Sequence, residues 1–356
     1  MPVKKAPRLI EAGVLVLICL TLGADQAGKI SRAADLGPFF AKSDVTIAVT
    51  DSGLGGLSIM AEAAARLKEA RVFKSVNLVF FNALFSNDSG YNSLGTREEK
   101  IAVFDSALEA LAAKYRPDLI LVGCNTLSVL TGETRFSRMS KIPVLDIVGP
   151  GVDLIADGLK KSPRAAVIIL GTETTIAEGE HKKRLLEQGF PEARVVTQAC
   201  PELASYIEKD PKSEDTALLI ESYVDEALAK VKDRSAPILI SLNCTHFGYS
   251  IDLWKKAFES RRIKSFVILN PNAKMTEVLV PSASAKRYAA TAVSAKVVSM
   301  VEISKQKIEA LGGWLRKISP ETAGALGRYE LKPDLFEWKR FIRGEIATAK
   351  RPRDDI

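Results

Sequence analysis

The sequence predicts an α/β fold of two doubly wound lobes, with the ligand cleft between them. From Val45 onward, short β-rich runs alternate with amphipathic stretches of helical length, which is typical of mostly parallel sheets covered by helices. A similar segment recurs once in each half. The length of 356 residues suits two domains of ordinary size.

Eight strands and five main helices are predicted from β propensity and helical periodicity. The strands are Thr46–Thr50, Ser75–Phe81, Asp118–Val122, Val144–Ile147, Ala165–Leu170, Ala193–Thr197, Pro237–Leu242 and Ser265–Leu269. The helical segments are Gly56–Ala70, Glu98–Tyr115, Val152–Leu159, Ile176–Gln188 and Glu214–Lys232, with a further helix from Glu302 to about Lys317.

The internal repeat places one cysteine in each half. Pro117–Thr126 (PDLILVGCNT) and Ala236–Thr245 (APILISLNCT) both read as an apolar strand ending in Asn, Cys and Thr. Ligands in such folds collect at the carboxyl ends of the strands. The repeat therefore predicts lobes related by an approximate twofold, each presenting one cysteine to a shared cleft. The predicted boundaries are 44–147 plus 270–318 for the first lobe, 148–269 for the second, and 319–356 for a charged tail.

The first thirty residues have the pattern of a secretory signal. Lys4, Lys5 and Arg8 precede the apolar run Ala12–Leu22, which is too short for a comfortable membrane-spanning helix. Residues 1–30 are thus expected to be a leader, with a periplasmic or secreted mature protein and no stable membrane insertion. The alternative is a buried N-terminal helix in a cytoplasmic protein. The net charge of +7 falls in clusters without interleaved aromatic residues, so nucleic-acid binding is not expected.

Three cysteines remain after the leader. A buried free cysteine is usually a small core hydrophobe, and Cys200 is interpreted in this way. Cys124 and Cys244 differ, because they occupy matching strand ends and both precede hydrogen-bonding side chains. Two thiols facing one ligand suit inversion of a stereocentre, in which one face loses a proton and the other gains one.

Other residues near these strand ends could assist. Asp51 ends a strand ahead of a glycine-rich turn and helix, where backbone amides can meet an anion, although such a residue is commonly a helix N-cap. His246 follows Cys244 closely enough to serve its loop. No Cys/His spacing is typical of zinc, and Gly53–Gly56 is too short for a dinucleotide loop. The sequence thus predicts neither a metal nor a cofactor.

Six segments resemble, in order, the signature segments of glutamate racemases in the aspartate/glutamate racemase family. They are Ala48–Met60 (AVTDSGLGGLSIM), Gly123–Val129 (GCNTLSV), Leu170–Ile176 (LGTETTI), Ala199–Glu208 (ACPELASYIE), Asn243–Gly248 (NCTHFG) and Ile268–Leu279 (ILNPNAKMTEVL).

The resemblance implies a cofactor-independent racemase of glutamate or aspartate. Cys124 would take the α-proton from the D-enantiomer and Cys244 from the L-enantiomer. Asp51 would assist Cys124, and His246 and Glu208 would assist Cys244. The implied substrate-binding residues are Ser52, Asn125, Thr126, Thr175 and Thr245. Members of this family often form dimers, which leaves a homodimer open.

Departures from the family pattern keep other functions in view. The family's Pro-Tyr-Gly loop is absent, and Phe85–Lys100 occupies its place. The alternatives are a sibling enzyme, such as a hydantoin racemase or a maleate cis–trans isomerase, and an exported amino-acid-binding protein. His246 and Glu208 favour the glutamate or aspartate branch, and the two matched thiols favour an enzyme over a binding protein.

Overall fold

Ten strands form two parallel sheets in the computed structural model, which describes residues 35–87, 89–263 and 265–342. The strands are β1 (Asp44–Asp51), β2 (Ser75–Asn82), β3 (Leu119–Val122), β4 (Val144–Asp146), β5 (Ala166–Gly171), β6 (Val195–Ala199), β7 (Ile238–Asn243), β8 (Phe266–Leu269), β9 (Ala292–Ser299) and β10 (Glu330–Leu331).

Sheet A takes its strands from the N-terminal and C-terminal parts of the described chain, and sheet B takes its strands from the middle part. Sheet A has the order β10-β9-β2-β1-β3-β4, and sheet B has the order β6-β5-β7-β8. All neighbouring strands are parallel. Inner strands of a parallel sheet are covered on both faces, which explains the unbroken apolar run of β3 and the complete burial of both β3 and β7.

Helices connect and cover the strands. They are α1 (Gly37–Ala41), α2 (Leu57–Ala70), α3 (Arg97–Tyr115), α4 (Asn125–Thr131), α5 (Arg135–Met139), α6 (Val148–Lys161), α7 (Glu173–Glu178), α8 (Glu180–Glu187), α9 (Leu203–Lys209), α10 (Glu214–Ala229), α11 (Ile251–Ser260), α12 (Pro271–Thr276), α13 (Lys305–Ile318) and α14 (Pro320–Gly327).

Local sequence explains where these helices begin and which face they bury. Helix α3 begins at a reciprocal capping box, in which Thr96 and Glu99 satisfy each other's backbone N–H groups. Helix α6 buries Val152, Ile155 and Leu159, whose spacing of three and four residues places them on one face.

The predicted α/β class with parallel sheets is confirmed, and all eight predicted strands are present within two residues of their expected ends. The single helix predicted over Ile176–Gln188 is wrong, because Gly179 adopts a left-handed φ of +63° and separates α7 from α8. Strand β9 was not predicted, although it pairs with β2 along its whole length.

The interpretation of residues 319–356 as a loose charged tail is wrong for the described part, 319–342. Pro320 does not break the structure there, because it occupies the first turn of α14, where its missing N–H costs nothing. Strand β10 then extends sheet A, and Leu335 and Phe336 are buried. The apolar residues between the charges, which pack on sheet A, hold this segment in place.

The predicted leader lies outside the described residues, so export stays a prediction. Across residues 35–87, 89–263 and 265–342, none of the helices has the length and apolar character needed to cross a bilayer. The predicted lobe boundaries also stay predictions.

The strand order brings chemistry-bearing residues to the carboxyl ends of the sheets. In sheet A, β1 ends at Asp51 and β3 leads into Cys124. In sheet B, β5 leads into Thr172 and β7 into Cys244. The four strands β1, β3, β5 and β7 are all inner strands, so their ends are fixed by pairing on both sides.

Replacing Phe336 tests whether the C-terminal segment belongs to the folded core. Phe336 is 6% exposed, and its ring centroid lies 6.0 Å from that of Phe81. We expect Phe336→Ala to lower the free energy of unfolding by about 3 kcal/mol, as for other buried aromatic truncations. Leu331→Ala is the control, because Leu331 is 48% exposed. Equal, small effects of both substitutions in urea unfolding would show that the segment is not part of the core.

Candidate active site

Cys124 and Cys244 line one cavity of about 310 Å³. Both are buried, and Cys200 is the third free cysteine of the described residues. Cys200 is buried as well but does not line this cavity. The cavity therefore distinguishes the two cysteines of the internal repeat from the third.

On the Cys124 side, a hydroxyl and a carboxyl lie beside the thiol. The hydroxyl of Ser52 is 3.2 Å from Cys124 Sγ. Asp51 Oδ2 accepts hydrogen bonds from the backbone N–H of Gly56 and, at 2.8 Å, from the hydroxyl of Thr245. Asp51 thus links the turn after β1 to the loop after β7.

This environment disfavours negative charge on the Cys124 thiol. Burial raises the pKa of Cys124 well above its usual value, and the charge of Asp51 and a hydrogen bond with its carboxyl raise it further. Burial also raises the pKa of Asp51, although the charge of His246 opposes the rise. The surroundings of Cys124 therefore favour the protonated thiol over the thiolate.

On the Cys244 side, an imidazole and a carboxylate form a chain behind the thiol. His246 Nδ1 lies 3.6 Å from Cys244 Sγ, and His246 Nε2 lies 2.7 Å from Glu208 Oε1. Glu208 Oε1 also accepts from the backbone N–H of Leu54 at 2.7 Å, and Glu208 Oε2 accepts from Lys307 Nζ at 2.6 Å. Every residue in this hydrogen-bonded set except Lys307 is buried.

The hydrogen-bonded groups behind Cys244 carry opposite charges on neighbouring members. Burial raises the pKa of Glu208, but the hydrogen bond and charge of His246 and the charge of Lys307 outweigh burial and lower this pKa to about 2. Burial lowers the pKa of His246, but Cys244 and Glu208 outweigh it, so the pKa lies well above the usual value. The imidazolium next to Cys244 Sγ stabilises negative charge on that sulfur.

The glycines of the turn after β1 allow these groups to approach the backbone. A Cβ on Gly55 would lie 2.3 Å from Thr245 Oγ1 and 2.7 Å from the backbone N of His246. A Cβ on Gly53 would lie 2.8 Å from Glu208 Oε1. The glycine-rich sequence is thus required by close packing across the site.

The predicted substrate-binding residues fall into two groups. Ser52, Asn125, Thr126 and Thr245 line the cavity. Both side-chain polar atoms of the buried Asn125 amide lack a hydrogen-bond partner among the described residues, so they are available to a ligand. Thr175 does not line the cavity.

Thr172, which sequence reasoning missed, occupies the wall in place of Thr175. Its hydroxyl lies 2.8 Å from that of Thr126 and 2.9 Å from that of Thr175. Its position directly after β5, which is equivalent to the position of Cys244 after β7, is the feature of the sequence that could have indicated it. Lys307 also lines the cavity and was missed, because a lysine on an amphipathic helix is normally solvated.

The segment Phe85–Lys100 contributes a further wall of the cavity. Tyr91 lines the cavity, and its buried hydroxyl has no partner within the described ranges. Arg97 anchors the segment by ion pairs with Glu133, after α4, and Glu178, at the end of α7. Arg97 therefore joins the connections of both sheets near the cavity.

This arrangement supports proton transfer at a small polar ligand. Two thiols with different charged neighbours share one cavity, and polar side chains with unused hydrogen-bonding capacity surround them. Within the described part of the chain, no three His, Cys, Asp or Glu side chains lie where they could share a metal ion.

Comparison with known proteins gives glutamate racemases among the relatives of this chain, while no family model matches it. The chain is 27% identical to the glutamate racemase of Aquifex pyrophilus over 202 residues, which cover 56% of this chain and 70% of that protein. It is 24% identical to the glutamate racemase of Clostridium botulinum over 284 residues, covering 75% and 98%.

Solved structures show the same fold. A glutamate racemase isoform of Bacillus anthracis matches with a TM-score of 0.60 at 19% identity, covering 82% of this chain and 99% of that one. The glutamate racemase of Francisella tularensis, solved in complex with D-glutamate, matches with a TM-score of 0.59 at 17% identity, covering 81% and 97%.

Asp51→Asn tests the electrostatic control of Cys124. Removing the negative charge lowers the pKa of Cys124, so more thiolate is present at about pH 8. We expect alkylation of Cys124 by iodoacetamide to accelerate about tenfold for each unit by which the pKa falls. Peptide mass spectrometry reads Cys200 in the same sample as the control, and its rate should not change. An unchanged rate at Cys124 would contradict the assigned influence of Asp51.

The low pKa of Glu208 predicts a pH-dependent contribution to stability. The pKa of this carboxyl is lowered to about 2 in the folded chain from its ordinary value of 4.5. Its contribution is therefore fully present above 4.5 and is lost as the pH falls towards 2. Relative to Glu208→Gln, the wild type should lose about 2 kcal/mol of unfolding free energy between about pH 6 and about pH 3. Urea unfolding of both proteins at about pH 6 and about pH 3 measures this loss. The same difference in unfolding free energy between wild type and Glu208→Gln at both pH values would refute the prediction.

Proposed function

We propose that this chain, whose relatives and structural neighbours support the aspartate/glutamate racemase family, is an isomerase that racemises glutamate without a cofactor. The carrying observation is that Cys124 and Cys244, from equivalent strand ends of the two sheets, line one cavity. Each thiol also has a carboxyl group within its network, Asp51 for Cys124 and Glu208 for Cys244.

The reaction needs one thiolate and one thiol on opposite faces of the substrate Cα. The thiolate removes the α-proton, and its bonding electrons remain on Cα as the C–H bond breaks. The opposite thiol donates its proton to the other face and becomes the thiolate. When the product leaves, the two cysteines have exchanged their protonation states, so the enzyme can catalyse the reverse reaction.

The charges of the site assign the starting states. In the unliganded protein, Cys124 carries its proton because burial and Asp51 raise its pKa. Cys244 lies against the His246 imidazolium, which stabilises a thiolate there. The unliganded site is thus prepared to remove the proton from the enantiomer that Cys244 faces, which the family resemblance gives as L-glutamate.

The polar wall suits an amino acid with two carboxylates. The Asn125 amide and the hydroxyls of Ser52, Thr126, Thr172 and Thr245 offer donors and acceptors around the cavity. The unused hydrogen-bonding capacity of Asn125 favours a ligand there, because buried polar groups are normally paired. Export and dimerisation remain predictions beside this proposal.

Deuterium wash-in at Cα tests the proposal. Purified protein in D₂O receives each enantiomer of glutamate and aspartate separately, and mass spectrometry and chiral chromatography follow exchange and inversion. We expect wild type to exchange and invert glutamate. Cys124→Ser should exchange only the L-enantiomer and Cys244→Ser only the D-enantiomer, with racemisation reduced by at least about a hundredfold, as for loss of an acid–base group.

Cys200→Ala is the matched control, because Cys200 is a buried free thiol outside the cavity. It should keep racemisation. Folded wild type that exchanges neither enantiomer of glutamate would refute the proposal. Exchange of aspartate alone would change the substrate, and calorimetric binding of glutamate without exchange would indicate a binding protein.

A further inference from the structure

Lys307 occupies an unusual position for a cation. It lies in the first turn of α13, where its backbone N–H donates to the N-cap hydroxyl of Ser304. The first turn of α13 contains no acidic residue. The amino end of a helix carries partial positive charge and disfavours a cation. Something other than helix stability must therefore favour lysine here.

The compensating contact is with Glu208. Lys307 Nζ lies 2.6 Å from Glu208 Oε2, and the lysine side chain is only 27% exposed. Helix α13 packs against α9, which carries Glu208, and this packing brings the two side chains together. The ion pair is thus largely withdrawn from solvent. Two charges attract each other more strongly in such a position than at the protein surface.

Lys305, two residues earlier, shows the ordinary alternative. It belongs to the same helical turn, but its side chain is 89% exposed and it lies 3.7 Å from Glu309 of the same helix. Lys305 does not line the cavity, whereas Lys307 does. The two lysines share the helix terminus and differ in what they contact.

We propose that Lys307 is a positioning residue, which fixes the ionised Glu208 carboxylate so that its other oxygen holds the His246 imidazole against Cys244. This inference rests on the proposed function and deepens it. With Lys307 bound to Oε2 and Leu54 N–H and His246 both bound to Oε1, the carboxylate cannot rotate without breaking a hydrogen bond.

Lys307 also changes the charge that Cys244 experiences. The Glu208 carboxylate alone would cancel the His246 imidazolium, leaving a neutral pair behind the thiol. Adding Lys307 gives the group a net charge of about one positive unit, which stabilises a thiolate on Cys244 and an anionic substrate in the cavity. The titratable or charged groups facing this set are Cys244, Asp51, Tyr249 and, beyond them, Cys124.

Direct binding of a substrate carboxylate is the competing role for Lys307. The short contact with Glu208 favours positioning, because the ammonium is already committed to that carboxylate. Steady-state kinetics separates the roles, since a positioning residue acts on the chemical step and a substrate ligand acts on binding.

The experiment compares Lys307→Met, Lys307→Arg and Lys305→Met in the full chain with glutamate. We expect Lys307→Met to lower kcat about ten- to a hundredfold with little change in KM, the loss expected for one hydrogen bond to a charged group. Lys307→Arg should restore most of kcat, and Lys305→Met should behave as wild type. A rise in KM with unchanged kcat, or equal effects of both methionine variants, would overturn the inference.

A second measurement does not depend on turnover. The chain has two histidines, so isotope-labelled imidazoles give two resolvable NMR signals. Loss of Lys307 removes a charge that lowers the pKa of Glu208, so the acid-side change in the His246 signal should move to higher pH in Lys307→Met and not in Lys305→Met. The same titration in both variants would contradict the inference. If wild type failed to racemise glutamate, this titration would still decide the role of Lys307.

Discussion

The buried carboxylate of Glu208 is the group on which the rest of the site depends. An unpaired carboxylate at this depth would cost several kcal/mol. Here its two oxygens accept from Leu54 N–H, His246 and Lys307, which belong to the turn after β1, the loop after β7 and α13. Three bonds to a charged acceptor, each contributing about 1.5–3 kcal/mol, offset that cost only while all three elements stay in place. The same bonds therefore fix the site and join segments from both sheets.

The two thiols receive opposite electrostatic treatment, although the chain presents them from equivalent strand ends. Cys124 lies beside an acidic group and keeps its proton, while Cys244 lies beside a cationic imidazole. The proposed two-base reaction requires one thiol and one thiolate at the start of each turnover, and the surroundings of Cys124 favour the proton there. Asp51, at the end of β1, also accepts a hydrogen bond from Thr245, which follows Cys244, so one carboxyl group contacts the surroundings of both thiols.

The sequence predicted those parts of the molecule that short-range patterns control. Apolar runs located the inner strands, and the repeated strand ends that contain Asn, Cys and Thr located both cysteines. Strand β9 was missed because Ser294 and Lys296 interrupt its apolar positions, and only pairing with β2 makes it a strand. Lys307 was missed because its partner lies 99 residues away, so its role depends on a tertiary contact that no local pattern contains. The hydroxyls of Thr172 and Thr175 are hydrogen-bonded to each other, and only that of Thr172 reaches the cavity, which the sequence alone does not decide.

Different parts of this fold carry the proposed acid–base groups and one wall of the cavity. The two cysteines proposed as acid and base follow inner strands paired on both sides, so their positions tolerate little change. The wall that carries Tyr91 comes from the segment after β2, where the chain departs from the family's Pro-Tyr-Gly pattern. That segment is held by Arg97, whose guanidinium pairs with Glu133 and Glu178 on connections of the two sheets. Substitutions in this segment can therefore reshape the cavity while the thiols, Asp51 and Glu208 keep their geometry.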